Sequence, residues 1–379
     1  MWSIGPTAAR LPPVMLVVPA ETREYERRVA LVPEAVQRVV QSGLDVVVES
    51  GAGRYAYATD DEFRIAGATV APSGTPPLPD AAVVASVQPL TLAQARQLAE
   101  ATVTISFLQP AAEAELVQVY AERKVTAFSL DLVPRITRAQ AADALSSQAM
   151  VAGYRAVLVA AERLPKFFPL FMTAAGTVPP ARVLVLGAGV AGLQAVATAR
   201  RLGAVVEAYD VRAAAAEEVR SLGARFLELE LETQEGAGGY AREQTPEFLA
   251  RQRELIGERV AAADAVLTTA AVPGRPAPRL VTTGMVEAMR PGSVVVDLAA
   301  ESGGNCELSR PGEEIRHGGV TVWGARNIWS DMPVHASKLY SSNVGSLLSL
   351  MIHDGEVRPD LDDEVLAGCC ITHAGEVRG

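Results

Sequence analysis

The sequence predicts an α/β fold made of two Rossmann-like, doubly wound parallel-sheet domains that are joined by long helices. Short apolar runs alternate with helical patterns along the chain, as in parallel sheets that carry helices on both faces. The chain has 379 residues, which is enough for two separate cores. Because the alternation starts afresh near residue 181, we expect a first domain over 1–145, completed by 333–379, and a second domain over 146–332.

The first domain is predicted from its strands and helices in order. The strands are short apolar runs, and the helices carry apolar residues at helical spacing. In chain order these are the strand VMLVVPAE (14–21), the helix PEAVQRVVQSG (33–43), the strands LDVVVESGAG (44–53) and AAVVAS (81–86), the helix LAQARQLAEA (92–101), and the strands ATVTISFLQ (101–109) and VTAFSLDLVP (125–134). A last long helix, ASKLYSSNVGSLLSLMIHDG (336–355), is followed by an acidic tail helix.

The second domain opens on the most informative motif, RVLVLGAGVAGLQAVATARRLGAVVEAYDVR. A strand over 183–186 runs into Gly187-x-Gly189-x-x-Gly192 at the start of a helix, and a second strand ends at Asp210. Gly187 permits a tight turn, Gly189 lets the backbone approach a pyrophosphate, and Gly192 packs the helix on the strand. The helix N-terminus attracts phosphate. The whole unit predicts a dinucleotide site, whereas a bare glycine motif would also fit a purely structural turn.

The acid at the end of the second strand indicates which dinucleotide binds. A carboxylate suits a ribose 2′-hydroxyl and repels a 2′-phosphate, so Asp210 predicts NAD(H). Arg212 argues the other way, because a nearby arginine can accept the 2′-phosphate. A further strand, AVLTT, precedes a loop at the sheet edge where ligands bind in open α/β sheets. The predicted cofactor residues in this domain are Gly187, Gly189, Val190, Ala191, Gly192, Asp210, Val211, Arg212, Thr269, Ala270 and Ala271.

A glycine-rich stretch, QEGAGGYAREQ, places Tyr240 in a long loop of the second domain. Its flexibility suits a lid over bound nucleotide, and an ordinary surface loop with an exposed tyrosine is the alternative. We expect structural roles for the polar residues Glu301, Asn305 and Asn343, which lie at predicted strand or helix ends.

A polar stripe near the predicted domain joint, PRITRAQAADALSSQ (134–148), stands out in so apolar a chain. Gln140, Asp143, Ser146 and Ser147 fall at i, i+3, i+6 and i+7, which predicts one shared helical face. A local explanation is also open, because Thr137-x-x-Gln140 has the form of a capping box. The stripe is therefore either a ligand-binding face or a helix start.

Composition excludes several classes of partner. The net charge is −10 and no block of lysine or arginine occurs, so nucleic acid and bare anionic membrane are not expected. The three cysteines, Cys306, Cys369 and Cys370, form neither a disulfide framework nor a zinc spacing. No stretch approaches about 18 uninterrupted apolar residues, so we expect no direct membrane insertion. The sequence predicts a cytoplasmic protein without a metal site.

The first domain lacks the side chains that usually handle protons. Residues 1–123 contain neither lysine nor histidine, although a dehydrogenase acting on an alcohol or amine needs a general acid or base. Arg27, Arg28 and several carboxylates remain, and they are poor substitutes near neutral pH. A cofactor site is thus predicted without its usual proton-handling partner.

Several segments together resemble one family. They are ETREYERRVALVPEAVQRVV, VVVESGAG, PRITRAQAADALSSQ, GYRAV, TAAGTVPPARVLVLGAGVAGLQAVATARRLGA, DVRAAAAEEVRSLGA, PGRPAPRLVT and MRPGSVVVDLAAESGGN. In this order they resemble the family shared by alanine dehydrogenase and the NAD(H)-binding component of proton-translocating NAD(P) transhydrogenase. The resemblance covers nearly the whole chain apart from roughly the first dozen residues.

The resemblance favours the transhydrogenase branch. Alanine dehydrogenases of this family bind pyruvate with an arginine, a lysine and a histidine. Arg28 matches the arginine, but ASVQPL and ISFLQP stand where the lysine and histidine segments would be. The RAQ…D.LSSQ pattern is characteristic of transhydrogenases. Direct hydride transfer between two nicotinamides moves no substrate proton, so it also explains the missing acid and base.

The transhydrogenase resemblance implies roles for particular residues. Arg135, Gln140, Asp143 and Ser146 would contact the nicotinamide end of NAD(H) and serve catalysis, with Gln140 facing NADP(H) held by a partner subunit. The remaining residues implied to bind cofactor are Ile136, Thr137 and Arg138 beside them, and Gly239 and Tyr240 in the mobile loop near the adenosine.

The same resemblance implies an assembly. The implied partners are membrane-spanning transhydrogenase subunits, an NADP(H)-binding domain and a second copy in a homodimer. The chain would then be cytoplasmic and peripheral to the inner membrane, and hydride transfer would be coupled to proton translocation. An alanine dehydrogenase-like enzyme and an NAD-binding regulator without chemistry remain as alternatives.

Overall fold

The structure is a computed structural model that describes residues 15–228, 246–271, 275–353 and 355–378. It divides into two compact units. Unit 1 comprises Met1–Ser147 together with Pro333–Gly379, and unit 2 comprises Gln148–Met332. The strands are, in chain order, β1 (Met15–Val18), β2 (Asp45–Glu49), β3 (Thr69–Ala71), β4 (Val83–Ala85), β5 (Val103–Ser106), β6 (Thr126–Ser129), β7 (Phe171–Thr173), β8 (Gly176–Val178), β9 (Arg182–Leu186), β10 (Val205–Tyr209), β11 (Arg225–Phe226), β12 (Ala265–Thr268), β13 (Val294–Asp297), β14 (Glu314–His317), β15 (Val320–Gly324), β16 (Ile352–His353), β17 (Glu356–Val357), β18 (Cys370–His373) and β19 (Glu376–Val377).

The α-helices of the described residues alternate with these strands. They are α1 (Pro33–Gln41), α2 (Asp60–Ile65), α3 (Leu92–Ala95), α4 (Ala114–Glu122), α5 (Ala144–Arg163), α6 (Val190–Arg201), α7 (Ala215–Ser221), α8 (Pro246–Ala262), α9 (Thr283–Glu287), α10 (Pro333–Ser349) and α11 (Glu364–Cys369). Helix starts follow local chemistry: Pro33 occupies the first turn of α1, and Thr59 and Thr91 form capping boxes with Glu62 and Gln94. Helix α3 is shorter than the sequence predicts, since it ends at Ala95.

Unit 1 is built on an eight-stranded sheet in the order β19-β18-β6-β5-β4-β1-β2-β3. Strands β1 to β6 pair in parallel, and β18 joins β6 antiparallel. Every residue of β4, β5 and β6 is buried, because helices cover both faces of such a sheet. The six parallel strands have the doubly wound order 3-2-1-4-5-6.

Unit 2 repeats this arrangement around a seven-stranded sheet in the order β11-β10-β9-β12-β13-β15-β14. All neighbours pair in parallel except β14, which runs antiparallel to β15 at the edge. Strands β7 and β8 form a separate hairpin. The predicted fold class, with two Rossmann-like sheets, is confirmed. The strand order changes direction between β9 and β12, where ligands bind in folds of this kind.

One helix of the described ranges, α5, is long and apolar enough to cross a membrane. Half of its apolar window is buried inside the protein, and the core helix of a folded domain has the same length and composition. Gly153 of α5 packs closely on α6, because a Cβ added there would lie 2.0 Å from the carbonyl oxygen of Ala191. This contact shows that α5 packs within the fold.

Candidate functional site

The glycine turn after β9 has the backbone that its sequence predicts. Gly187 has φ of +101°, in the left-handed region that favours glycine. A Cβ at Gly187 would lie 2.7 Å from Thr269 Oγ1, and a Cβ at Gly192 would lie 1.9 Å from the carbonyl oxygen of Gly187. Glycine is therefore required at both positions, because the turn, the first turn of α6 and the loop after β12 approach each other so closely.

The N-terminus of α6 offers space and backbone donors for an anion. Gly189 is the N-cap residue, and no side chain caps the helix. A Cβ at Gly189 would meet no atom within 4 Å, so the glycine borders open space. Val190 is exposed and Ala191 is half-buried. The uncapped N–H groups and the helix dipole suit a pyrophosphate, so these residues fit the phosphate end of a dinucleotide.

Asp210 lies directly after β10 and contacts the glycine turn. Its carboxylate accepts the N–H of Ala188 at 2.7 Å and the N–H of Arg212 at 2.9 Å. The Arg212 guanidinium is bidentate on the same carboxylate, through Nε at 3.0 Å and Nη2 at 3.2 Å. Arg212 Nη2 also donates to the carbonyl oxygen of Ala188 at 3.2 Å. Val211 lies between them and is half-buried. The predicted adenosine-ribose residues thus form one ion pair against the turn.

The loop after β12 is held beside the same turn. Thr269 Oγ1 donates to the carbonyl oxygen of Gly187 at 2.9 Å. The buried side-chain amide of Asn305 accepts the N–H of Ala270 at 3.0 Å and donates to the Ala270 carbonyl oxygen at 2.8 Å. Ala271 is exposed. Asn305 therefore has the structural role expected of it. Gly239 and Tyr240, the predicted lid residues, lie outside the described residues.

The polar stripe of unit 1 does not form one helical face, which corrects the sequence prediction. Residues Thr137–Ala142 form a 3₁₀ helix that begins after Ile136 without a side-chain cap, so the capping box of Thr137 and Gln140, the alternative that the sequence left open, does not form. Asp143 leaves the helical conformation with ψ of 86° and becomes the cap of α5. Its carboxylate accepts the N–H of Ser146 at 2.9 Å and the Ser146 hydroxyl at 2.6 Å.

The members of the stripe consequently have different surroundings. Gln140 is exposed on the 3₁₀ helix, whereas Asp143 and Ser146 are partly buried and bonded to each other. Ser147 donates to Asn343 Oδ1 at 2.7 Å, and Asn343 Nδ2 donates to the carbonyl oxygen of Ala141 at 2.9 Å. Asn343 of α10 therefore fixes both the end of the 3₁₀ helix and the start of α5.

The residues that precede Gln140 are mostly on the surface of unit 1. Arg135 and Thr137 are exposed, and Ile136 packs partly against the core. Arg138 is bidentate on Asp363, with its two terminal nitrogens 2.6 and 2.9 Å from the carboxylate oxygens. Asp363 also caps α11 through the N–H groups of Val365 and Leu366. Arg138 is thus held by a contact within its own unit.

Unit 1 also contains a buried polar cluster around Arg28, of which the sequence pattern indicates only Arg28 itself. Arg28 is 1% exposed, and its Nε and Nη2 donate to Glu26 at 2.8 and 2.6 Å. Gln88 Nε2 donates to the same carboxylate at 2.7 Å, and Tyr340 donates to the carbonyl oxygen of Ser86 at 2.8 Å. Glu26 lies only two residues before Arg28, and its carboxylate also accepts the backbone N–H of Arg28 at 3.0 Å.

Electrostatics favours the charged form of this buried pair. Burial alone would raise the pKa of Glu26, but the hydrogen bonds and charge of Arg28, with the Gln88 hydrogen bond, outweigh it and lower the pKa to about 2. Glu26 is therefore ionised at neutral pH. Since its carboxylate is already bound by Arg28 and Gln88, Glu26 is an internally paired carboxylate, not an open base.

Among the described residues, neither a group of metal-ligating side chains nor an exposed cysteine is found. No group of three or more histidine, cysteine or acidic side chains is placed to hold a metal there. Cys306, Cys369 and Cys370 are all buried. Burial raises the pKa of the Cys306 thiol to about 11 and that of Cys369 to about 12. These thiols therefore stay protonated near neutral pH and are poor nucleophiles.

Comparison with known proteins identifies the family to which the chain belongs. The N-terminal domain model of the alanine dehydrogenase/PNT family matches residues 17–152, and the C-terminal domain model matches residues 156–379. An NAD(P) transhydrogenase alpha-subunit chain of Rhodospirillum rubrum is 45% identical over 373 residues, covering 96% of this chain and 97% of that protein.

A solved structure and a more distant relative extend the comparison. The transhydrogenase of Sinorhizobium meliloti superposes with a TM-score of 0.84 at 41% identity, covering 96% of this chain and 98% of the other. Alanine dehydrogenase of Mycobacterium tuberculosis is 31% identical over 297 residues, covering 78% of this chain and 74% of the enzyme. The chain therefore belongs to the alanine dehydrogenase/PNT family of oxidoreductases, as a relative of the NAD(P) transhydrogenase alpha subunits.

Proposed function

We propose that this chain is the NAD(H)-binding catalytic component of a proton-translocating NAD(P) transhydrogenase. It passes a hydride directly between NADH, bound here, and NADP⁺ bound on a partner subunit, and the transfer is coupled to proton translocation. The similarity to transhydrogenase alpha subunits over 96% of the chain supports this proposal. So does a glycine turn in unit 2 that leaves open space at Gly189.

The observation that carries the proposal is the absence of lysine and histidine from the first 123 residues of the chain. Arg28 and Glu26 are paired with each other, and the first 123 residues supply no lysine or histidine. A dehydrogenase acting on an amino acid must move a proton with its hydride. Hydride transfer between two nicotinamide rings requires only that the rings are held close and aligned, so it needs no such group.

NAD(H) is the nucleotide that we assign to unit 2. The pyrophosphate would lie at Gly189, Val190, Ala191 and Gly192, and the adenosine ribose beside Asp210. The remaining unit 2 residues in this assignment are Gly187, Val211, Arg212, Gly239, Tyr240, Thr269, Ala270 and Ala271.

The nicotinamide end is assigned to the stripe of unit 1. Arg135, Gln140, Asp143 and Ser146 are the proposed contacts, flanked by Ile136, Thr137 and Arg138. Gln140 is exposed, so its amide can reach a carboxamide without breaking an interaction inside the protein. The Asp143–Ser146 hydrogen bond at 2.6 Å gives these two residues one fixed arrangement.

The test of this function is the variant Gln140→Asn, which shortens the amide by one methylene and leaves the charge unchanged. Affinity should come mainly from the adenosine and pyrophosphate contacts, as remote binding energy usually does. We expect NADH to bind within a few-fold of wild type. In single-turnover mixing with the NADP(H)-binding domain, hydride transfer should slow at least roughly tenfold, a barrier increase of about 1.4 kcal/mol.

Gln118→Asn is the matched control, because Gln118 is exposed on α4 in the same unit. The control should transfer hydride at the wild-type rate. Normal transfer by Gln140→Asn, with normal folding, would contradict the role of the stripe. Failure of wild-type protein to transfer hydride with any such partner domain would contradict the proposed function itself.

The proposed assembly has three kinds of partner. NADP(H) is held by a separate NADP(H)-binding domain, and membrane-spanning subunits carry the proton path, so this chain is cytoplasmic and peripheral to the inner membrane. The third partner is a second copy. Every residue of the β7–β8 hairpin is exposed, including Phe171 and Met172. An isolated two-stranded hairpin is marginally stable, which favours its packing against another copy in a homodimer.

A further inference from the structure

Arg212 donates hydrogen bonds to the Asp210 carboxylate, the group on which the proposed choice of nucleotide depends. Asp210 Oδ1 accepts the N–H and Nε of Arg212, while Oδ2 accepts Arg212 Nη2 and the N–H of Ala188. A carboxylate has about four lone-pair sites, and these four hydrogen bonds use them. The Asp210 side chain is only 9% exposed, so no further acceptor position faces solvent freely.

The guanidinium is also bound to the glycine turn. Arg212 Nη2 donates to the carbonyl oxygen of Ala188, whose N–H is bound by Asp210. Both polar groups of Ala188 are therefore engaged by the ion pair. Arg212 is fixed by the fold next to the predicted 2′-position of the ribose, and its side chain is still 27% exposed.

We propose that Arg212 is a specificity-determining residue that competes with the adenosine ribose for Asp210 and reduces discrimination between NADH and NADPH. This inference rests on the proposed assignment of NAD(H) to unit 2. A ribose 2′-hydroxyl reaches Asp210 only by displacing an Arg212 hydrogen bond. A 2′-phosphate meets a carboxylate whose charge is largely neutralised by a bidentate arginine. The binding site therefore prefers NADH less strongly than a lone aspartate would.

The test compares dissociation constants for NADH and NADPH, measured by titration calorimetry on the full chain. Arg212→Gln keeps a polar stem and removes the charge. We expect the ratio of the NADPH to the NADH dissociation constant to rise at least tenfold relative to wild type. Asp210→Asn should lower the same ratio at least tenfold, because the arginine then stays without its anionic partner. Arg220→Gln, on α7 of the same unit, removes an exposed charge and should leave the ratio within twofold.

The ratio separates specificity from folding, since both nucleotides meet the same protein. An Arg212→Gln ratio that is unchanged or lower would overturn the inference while the proposed function stood. Loss of binding of both nucleotides by a variant with a normal melting temperature would also overturn it, because Arg212 would then be needed to bind either nucleotide and would not determine the choice between them. If wild-type protein bound neither nucleotide, the failure would belong to the proposed function.

Discussion

Glu26 and Arg28 form an ion pair that is closed off from solvent in unit 1. Removing one partner of a buried pair leaves an uncompensated charge in the interior. We therefore predict that Glu26→Gln lowers the free energy of unfolding by on the order of 3 kcal/mol, measured by urea denaturation. Glu122→Gln, an exposed residue at the end of α4, is the control and should change it by less than about 0.5 kcal/mol.

The pH dependence of stability provides a second measurement on the same pair. The pKa of Glu26 lies at about 2 in the folded protein, below the value of about 4.3 for an unfolded glutamate. Its contribution is complete above pH of about 4.3 and is lost as pH falls towards 2. Glu26→Gln should lack this part of the acid loss. A variant as stable as wild type, with the same acid profile, would contradict the assigned role of the pair.

The proposed homodimer depends on one element, the β7–β8 hairpin. Met172 is 75% exposed and lies with Phe167, Leu170, Phe171 and Val178 among the exposed large apolar side chains. A monomer rarely leaves such residues grouped in solvent. We predict that Met172→Asp converts a dimer to a monomer, measured by analytical ultracentrifugation. NADH affinity should change by less than a few-fold, because the side-chain hydrogen bonds of Asp210 and Thr269 within the described residues join them to the glycine turn and Arg212, not to the hairpin.

Ile65→Asp is the matched control for the hairpin variant. Ile65 is 85% exposed on α2 of unit 1, so it tests the same apolar-to-charged change outside the hairpin. This control should sediment as wild type does. A Met172→Asp protein that remained dimeric, or a wild-type protein that was monomeric at micromolar concentration, would exclude the hairpin as the dimer contact.

Groups from several parts of the molecule together distinguish a transhydrogenase component from an alanine dehydrogenase. Retention of Arg28 and 31% identity to an alanine dehydrogenase keep that activity as the alternative. Arg28 is already bound by Glu26, which Gln88 also binds, and the first 123 residues lack a lysine or histidine. We predict no useful oxidation of alanine or reductive amination of pyruvate in a steady-state assay with saturating NAD⁺ or NADH. Turnover near ~10 s⁻¹, a typical enzyme rate, would show that the protein does supply a group that transfers the substrate proton.

An NAD-binding regulator is distinguished at the same scale. Such a protein would bind NADH and transfer no hydride with any NADP(H)-binding domain. The single-turnover experiment proposed for Gln140→Asn also measures wild-type protein. Hydride transfer by the wild type would identify a transhydrogenase component, and NADH binding without transfer would identify a regulator.

The α/β class, the doubly wound sheets and the conformation of the glycine turn could be predicted from the amino-acid sequence alone. These features depend on local signals, namely apolar strand runs, helix periodicity and the backbone freedom of glycine at Gly187. The resemblance of ordered segments also identified the family, which the comparisons show.

Which polar groups contact each other depends on the tertiary fold. The stripe failed as one helical face because Asp143 caps α5 through Ser146, and Asn343, about two hundred residues further on, holds the preceding turn. The engagement of Asp210 with Ala188 likewise joins residues from different strand ends. The spacing of residues along the sequence does not predict such contacts. A side-chain hydrogen bond between segments that are distant in sequence depends on how the sheet brings the ends of those segments together.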